Sequence, residues 1–99
     1  MPTFAPHTLN VTITSAGTRQ QVTTTSPTGA RLMFIQANSG NGGNLFIGGS
    51  TVSSTVYGVK LAAGASISIG NDGYDAKLDL SQIYADTSNS GDGFSVLYF

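Results

Sequence analysis

No stretch of this chain runs long enough for a helix without meeting a glycine or a β-branched residue. Thirteen glycines and 24 serines and threonines are spread over 99 residues. A glycine inside a helix costs about 1 kcal/mol relative to alanine, and β-branched side chains lose rotamer freedom against the preceding turn. What remains are short runs in which apolar and polar residues alternate, separated by turn-forming clusters. That pattern predicts an all-β chain with negligible helix.

The runs can be placed one by one. Over residues 9–14, Leu9, Val11 and Ile13 alternate with Asn10, Thr12 and Thr14, as in a half-buried strand. A second, more polar strand is expected over 19–25 around Val22, followed by the turn Ser26-Pro27-Thr28-Gly29, where proline fixes φ and glycine is free to take φ > 0. Residues 31–38 hold the most apolar strand, Leu32-Met33-Phe34-Ile35, apolar on both faces and therefore central. The loop over 38–43 leads into Asn44-Leu45-Phe46-Ile47, which is expected to form a hairpin with that strand and to end at Gly48-Gly49. Residues 50–57 read as a flexible or edge segment. Val59-Lys60-Leu61 and Ser66-Ile67-Ser68-Ile69 flank a turn over 62–65, Leu78 and Leu80 lead to Ile83-Tyr84-Ala85, and residues 94–99 close the fold. About eight short strands in one domain fit a two-sheet sandwich, jelly-roll-like or Greek-key. With Pro2 and Pro6 in it, the segment 1–8 reads as an extended N-terminal arm ahead of a single domain over 9–99.

Charge is scarce. Only 9% of residues are charged and glutamate is absent, against about 25% charged in ordinary globular chains. Arg19, Arg31, Lys60 and Lys77 are scattered singly, which argues against nucleic acid, since displacing phosphate counterions needs clustered cations. No apolar run approaches the roughly 20 residues of a membrane span. Met1-Pro2-Thr3-Phe4 has neither a basic nor an apolar region of the signal-peptide kind, so none is expected. With no cysteine, disulfides and thiolate metal sites are excluded.

Residue types that carry catalysis are sparse as well. His7 is the only histidine and falls in the expected arm, whereas a nucleophile–histidine pair needs an imidazole held on a rigid wall. Asn71-Asp72-Gly73-Tyr74-Asp75 offers oxygen ligands, but the EF-hand spacing and its closing glutamate are missing, so turn chemistry is the better reading. Asp75 and Asp79 could form a carboxylate pair, yet nothing places a pocket around them. Gly40, Gly42, Gly43, Gly48 and Gly49 resemble a phosphate loop only superficially, because no P-loop lysine follows. No enzyme activity, cofactor or metal is expected.

Several features point instead to binding protein. Pro2, Phe4 and Pro6 put one large apolar group on an extended arm. The C-terminal run Phe94-Ser95-Val96-Leu97-Tyr98-Phe99 is apolar to its end, with Phe94, Val96 and Tyr98 directed to the core, Leu97 to a second layer, and Phe99 to an interface. Phe46, Tyr57, Tyr74 and Tyr84 fall out of phase with core positions or in loops, and exposed aromatics form interfaces. Sheet edges are normally blunted by charge or proline, which this chain hardly has. The expected interface residues are Pro2, Phe4, Pro6, Phe46, Tyr57, Tyr74 and Phe99.

Arg31-Leu-Met-Phe-Ile-Gln-Ala-Asn38 followed by Asn44-Leu-Phe-Ile-Gly-Gly-Ser-Thr-Val52, then Val59-Lys-Leu-Ala-Ala-Gly-Ala-Ser-Ile-Ser-Ile69, Leu80-Ser-Gln-Ile-Tyr-Ala85 and Gly93-Phe-Ser-Val-Leu-Tyr98, is similar to small β-sandwich virion proteins of tailed bacteriophages. The resemblance covers residues 30–98. It implies a head decoration, or cement, protein that is made in the host cytoplasm and sits on the capsid surface. Such proteins sit as homotrimers over junctions between major capsid subunits, where many weak repeated contacts tie the shell together. An alternative is a tail or fibre module for host attachment or carbohydrate binding, with Tyr57, Tyr74 and the loop from Asp72 to Asp75 as a sugar platform.

Overall fold

A computed structural model describes residues 5–26, 29–70 and 77–99. The described residues form eight strands and a single 3-10 turn. In chain order these are β1 (His7–Thr12), β2 (Gln20–Gln21), β3 (Leu32–Ala37), β4 (Leu45–Gly48), β5 (Val59–Leu61), β6 (Ser66–Gly70), the turn Leu80–Gln82, β7 (Tyr84–Thr87) and β8 (Gly93–Tyr98). Two antiparallel four-stranded sheets result, with orders β1-β8-β3-β6 and β2-β7-β4-β5. Each strand of the first half of the chain thus lies beside its counterpart from the second half: β1 with β8, β2 with β7, β3 with β6 and β4 with β5. This nested order is that of an eight-stranded jelly roll. No helix among the described residues is long and apolar enough to cross a membrane.

Side-chain alternation dictates which face of each strand is buried. In β3, Met33, Ile35 and Ala37 point inward and are fully buried, while Phe34 and Gln36 point out. In β8, Phe94 and Val96 point inward, and Tyr98 packs at the margin of the same core. Leu45, Ile47 and Ala85 answer them from the second sheet, and each such buried aliphatic or aromatic side chain contributes about 1.5–3 kcal/mol. As its apolar character predicts, β3 is central, flanked by β8 and β6.

Four expectations need correction. His7 and Thr8, assigned above to the arm, already belong to β1 and pair with Tyr98 and Leu97. The second strand shrinks from the expected span to Gln20–Gln21. Leu97 does not enter a second layer; it lies on the outer face and is 38% exposed. The largest difference is that β3 and β4 form no hairpin, since they lie in different sheets.

The crossing from one sheet to the other is held by a clasp between two loops. The loop between β3 and β4 is tied to the loop before β8. Asp92 is buried and accepts hydrogen bonds from the Gly42 N–H at 3.0 Å and the Gly43 N–H at 2.9 Å, one on each carboxylate oxygen. The Asn41 side chain completes the clasp: its Nδ2 donates to the Gly93 carbonyl and its Oδ1 accepts from the Gly93 N–H, both at 2.9 Å. Gly93 is required at the crossing, because a Cβ there would run into the Val11 carbonyl. Next to this loop, β5 passes to β6 through a turn closed by the Ala65 N–H on the Ala62 carbonyl at 2.9 Å, with Gly64 at φ +81° and its N–H donating to the Ala37 carbonyl at 3.0 Å.

Candidate functional site

Among the described residues, the outer face of the first sheet presents half-exposed apolar side chains in an uncharged setting. Its register aligns Thr8, Leu97, Phe34 and Ser68 in one row across the four strands, with Asn10, Ser95, Gln36 and Ser66 in the next. Phe34 is 42% exposed and Leu97 38% exposed. The Phe99 ring lies 6.5 Å from that of Phe34, and the Phe99 backbone exchanges hydrogen bonds with Leu32, which continues the face in that direction. A shallow concavity of about 290 Å³ lies over these rows, lined by Thr8, Phe34, Gln36, Ser66, Ser95 and Leu97. None of the outward positions on these strands is charged. The surface therefore combines half-exposed apolar groups with short uncharged donors and acceptors, a chemistry suited to contact with another surface.

The expected interface residues fare differently from one another. Phe99 joins this face through Phe34. Pro6 is exposed and directly precedes β1 at the same sheet. Phe46 is on the opposite side of the molecule and is only 5% exposed. It does lie out of phase with Leu45 and Ile47, on the outer face of the second sheet, but the 49–58 loop folds back across it. The Tyr57 ring packs against it at a tilt of 40°, with ring centroids 5.1 Å apart, and Tyr57 itself remains 43% exposed. Ser53 organises this loop, its Oγ accepting from the Val56 N–H at 3.0 Å while the Ser53 N–H donates to the Val56 carbonyl at 2.7 Å. Residues 50–57, expected as an edge or flexible segment, are thus a built cover. Pro2, Phe4 and Tyr74, together with Asp72 and Asp75 of the sugar-platform alternative, lie outside the described residues.

Groups weighed for chemistry take structural roles. The His7 imidazole is stacked on the Tyr98 ring, with centroids 4.9 Å apart and an interplanar angle of 18°. Asp79 caps the 3-10 turn, accepting from the Ser81 N–H at 3.0 Å and the Ser81 hydroxyl at 2.6 Å. Replacing Asp79 with alanine is expected to lower stability by about 1–2 kcal/mol, read as a fall in the urea midpoint at unchanged slope. Asp86, buried beneath the 14–18 loop, accepts from the Gly17 N–H at 3.0 Å and the Thr87 N–H at 2.8 Å. Among the described residues no three metal-ligating side chains come together. The glycine loop over 40–43 directs its Gly42 and Gly43 N–H groups onto Asp92.

No protein-family model, characterised protein or solved structure matches this chain. The reading of the site rests on its own geometry. Sequence inspection missed Phe34 and Leu97 as surface residues. The signal was nonetheless present: once Met33, Ile35 and Ala37 share a face, period-two alternation sends Phe34 to the other.

Proposed function

We propose that this protein is a non-catalytic structural domain that decorates and stabilises a phage capsid, binding as a homotrimer over junctions between major capsid subunits. The observation that carries this reading is the uncharged outer face of the first sheet, with Phe34, Leu97 and Phe99 half-exposed around a shallow concavity. Such a face gains from being covered and has no charge to desolvate in the process. A flat, moderately apolar contact of this kind is weak singly and becomes strong when repeated over a lattice. The jelly-roll order is one that viral capsid domains also use, and it fits the resemblance to small phage virion proteins. On this reading the apolar face meets the shell protein.

Co-sedimentation with phage heads stripped of their own decoration tests the proposal. The wild-type chain is expected to pellet with heads to a saturating ratio. A double variant, Phe34→Ser with Leu97→Ser, is expected to keep its melting temperature and to bind at least ~30-fold more weakly, the loss that follows from removing interface anchors. Equal binding by the double variant would overturn the proposal, as would glycan binding without head binding.

A further inference from the structure

The two sheets have four edge strands, and they are not equally protected. β2 has two residues and β5 three, one of them Lys60; short length and lysine are the usual devices against edge-to-edge pairing. β6 presents Ser66, Ser68 and Gly70 along its free side and ends on a glycine, a residue depleted in strands. β1 is the longest of the four at six residues, carries no acidic or basic residue other than the terminal His7, and among the described residues is bonded on one side only, to β8.

The hydrogen-bond phase of β1 is fixed by its neighbour. Ile13 donates to the Asp92 carbonyl at 2.9 Å, so in the antiparallel ladder the odd-numbered residues bond to β8. Thr8, Asn10 and Thr12 therefore turn their backbone N–H and C=O groups toward the open edge. That row is bounded at both ends. Pro6, next in phase, has no N–H to offer, and the Thr14 N–H is already bonded to Gln20 Oε1 at 3.3 Å.

The strand is also close to its own mirror in sequence. Thr8-Leu9-Asn10-Val11-Thr12 reads nearly the same in either direction about Asn10. We propose that β1 is a self-pairing edge, through which two copies of this chain join antiparallel about Asn10 into one continuous sheet. In that register Thr8 meets Thr12 of the other copy and Asn10 meets Asn10, so every outward backbone donor of the row faces an outward acceptor. The same register sets Leu9 against Val11 on the inner face and threonine against threonine on the outer face, both favourable cross-strand pairs. Pro6 falls opposite Thr14, so the two positions without a free donor meet each other. The contact is isologous and joins a monomer into a dimer, independent of what covers the outer face. An edge contact buries less than the ~1,000 Å² of a stable interface, so the association depends on concentration.

Sedimentation velocity of the full chain, from micromolar to millimolar concentration, is combined with hydrogen exchange at both extremes. Mass is expected to approach twice the dilute value, and the Thr8, Asn10 and Thr12 amides to slow by at least ~tenfold on concentration, while the Leu9 and Val11 amides, already bonded to β8, change little. Asn10→Lys places two ammonium groups at the two-fold axis and is expected to hold the dilute mass throughout, whereas Ser68→Lys on the β6 edge leaves the association as it is. Thr12→Lys serves as the second blocking variant if Asn10→Lys lowers the melting temperature. Blocking variants that associate like wild type, or Thr8, Asn10 and Thr12 amides that exchange at one rate at all concentrations, overturn the inference. So does an association that survives Asn10→Lys and disappears in the Phe34→Ser, Leu97→Ser variant, since it then belongs to the outer face.

Discussion

Asp92→Ala is expected to lower the free energy of unfolding by about 3 kcal/mol and the melting temperature by roughly 15 °C. The carboxylate holds two backbone N–H groups from a loop some fifty positions away in the chain, at 3.0 and 2.9 Å. Hydrogen bonds to a charged acceptor contribute about 1.5–3 kcal/mol each, and donors left without partners cost further desolvation. Gly42 is exposed, so water can serve its N–H once Asp92 is removed; Gly43 is only half-exposed and is served less well. That difference places the expected loss nearer one full charge-assisted bond plus a remainder than the sum of two. Asp92→Asn keeps one acceptor and turns an amide N–H₂ toward the other donor, so roughly half the loss is expected. Urea unfolding followed by circular dichroism reads both variants. A change below ~1 kcal/mol for alanine would mean that the loop clasp does not support the sandwich.

Phe46→Ala is expected to cost about 3 kcal/mol, whereas Phe34→Ser is expected to change stability by less than ~0.5 kcal/mol. The contrast is informative because the two phenylalanines are equivalent by alternation: each points away from the core of its own sheet. Phe46 is 5% exposed because the 49–58 loop lies over it and the Tyr57 ring packs against its own. Truncation removes the surface on which that loop is folded, so the loop is also expected to become the first site of proteolytic cleavage. Among the described residues Phe34 is 42% exposed and its ring meets only that of Phe99. Thermal unfolding of the two single variants, with limited proteolysis of each, checks both halves. Equal stability losses would erase the distinction between a satellite core and a contact surface.

Much of the fold was legible because strand alternation is a local property. Met33, Ile35 and Ala37 fall on one face of β3 whatever surrounds them, and the apolar Leu32 to Ile35 run correctly marks a central strand. The inward phase of Phe94, Val96 and Tyr98 was readable for the same reason. Phe46 and Leu97 were not, because alternation states which side of a strand a residue faces and says nothing about what lies there. A loop covers one of them and leaves the other open.

By itself, the sequence determined an all-β sandwich: glycine and β-branched residues exclude helix, and period-two apolar runs select a buried face for each strand. The tertiary structure alone decided which strands pair. Asn38 to Asn44 could close a hairpin or cross between sheets, since the same small polar residues suit both. In the folded chain the crossing is held by Asp92 and Gly93, whose bonds to Asn41, Gly42 and Gly43 exist only once distant segments meet. Strand order is a property of such long-range contacts, and no window of local sequence contains them.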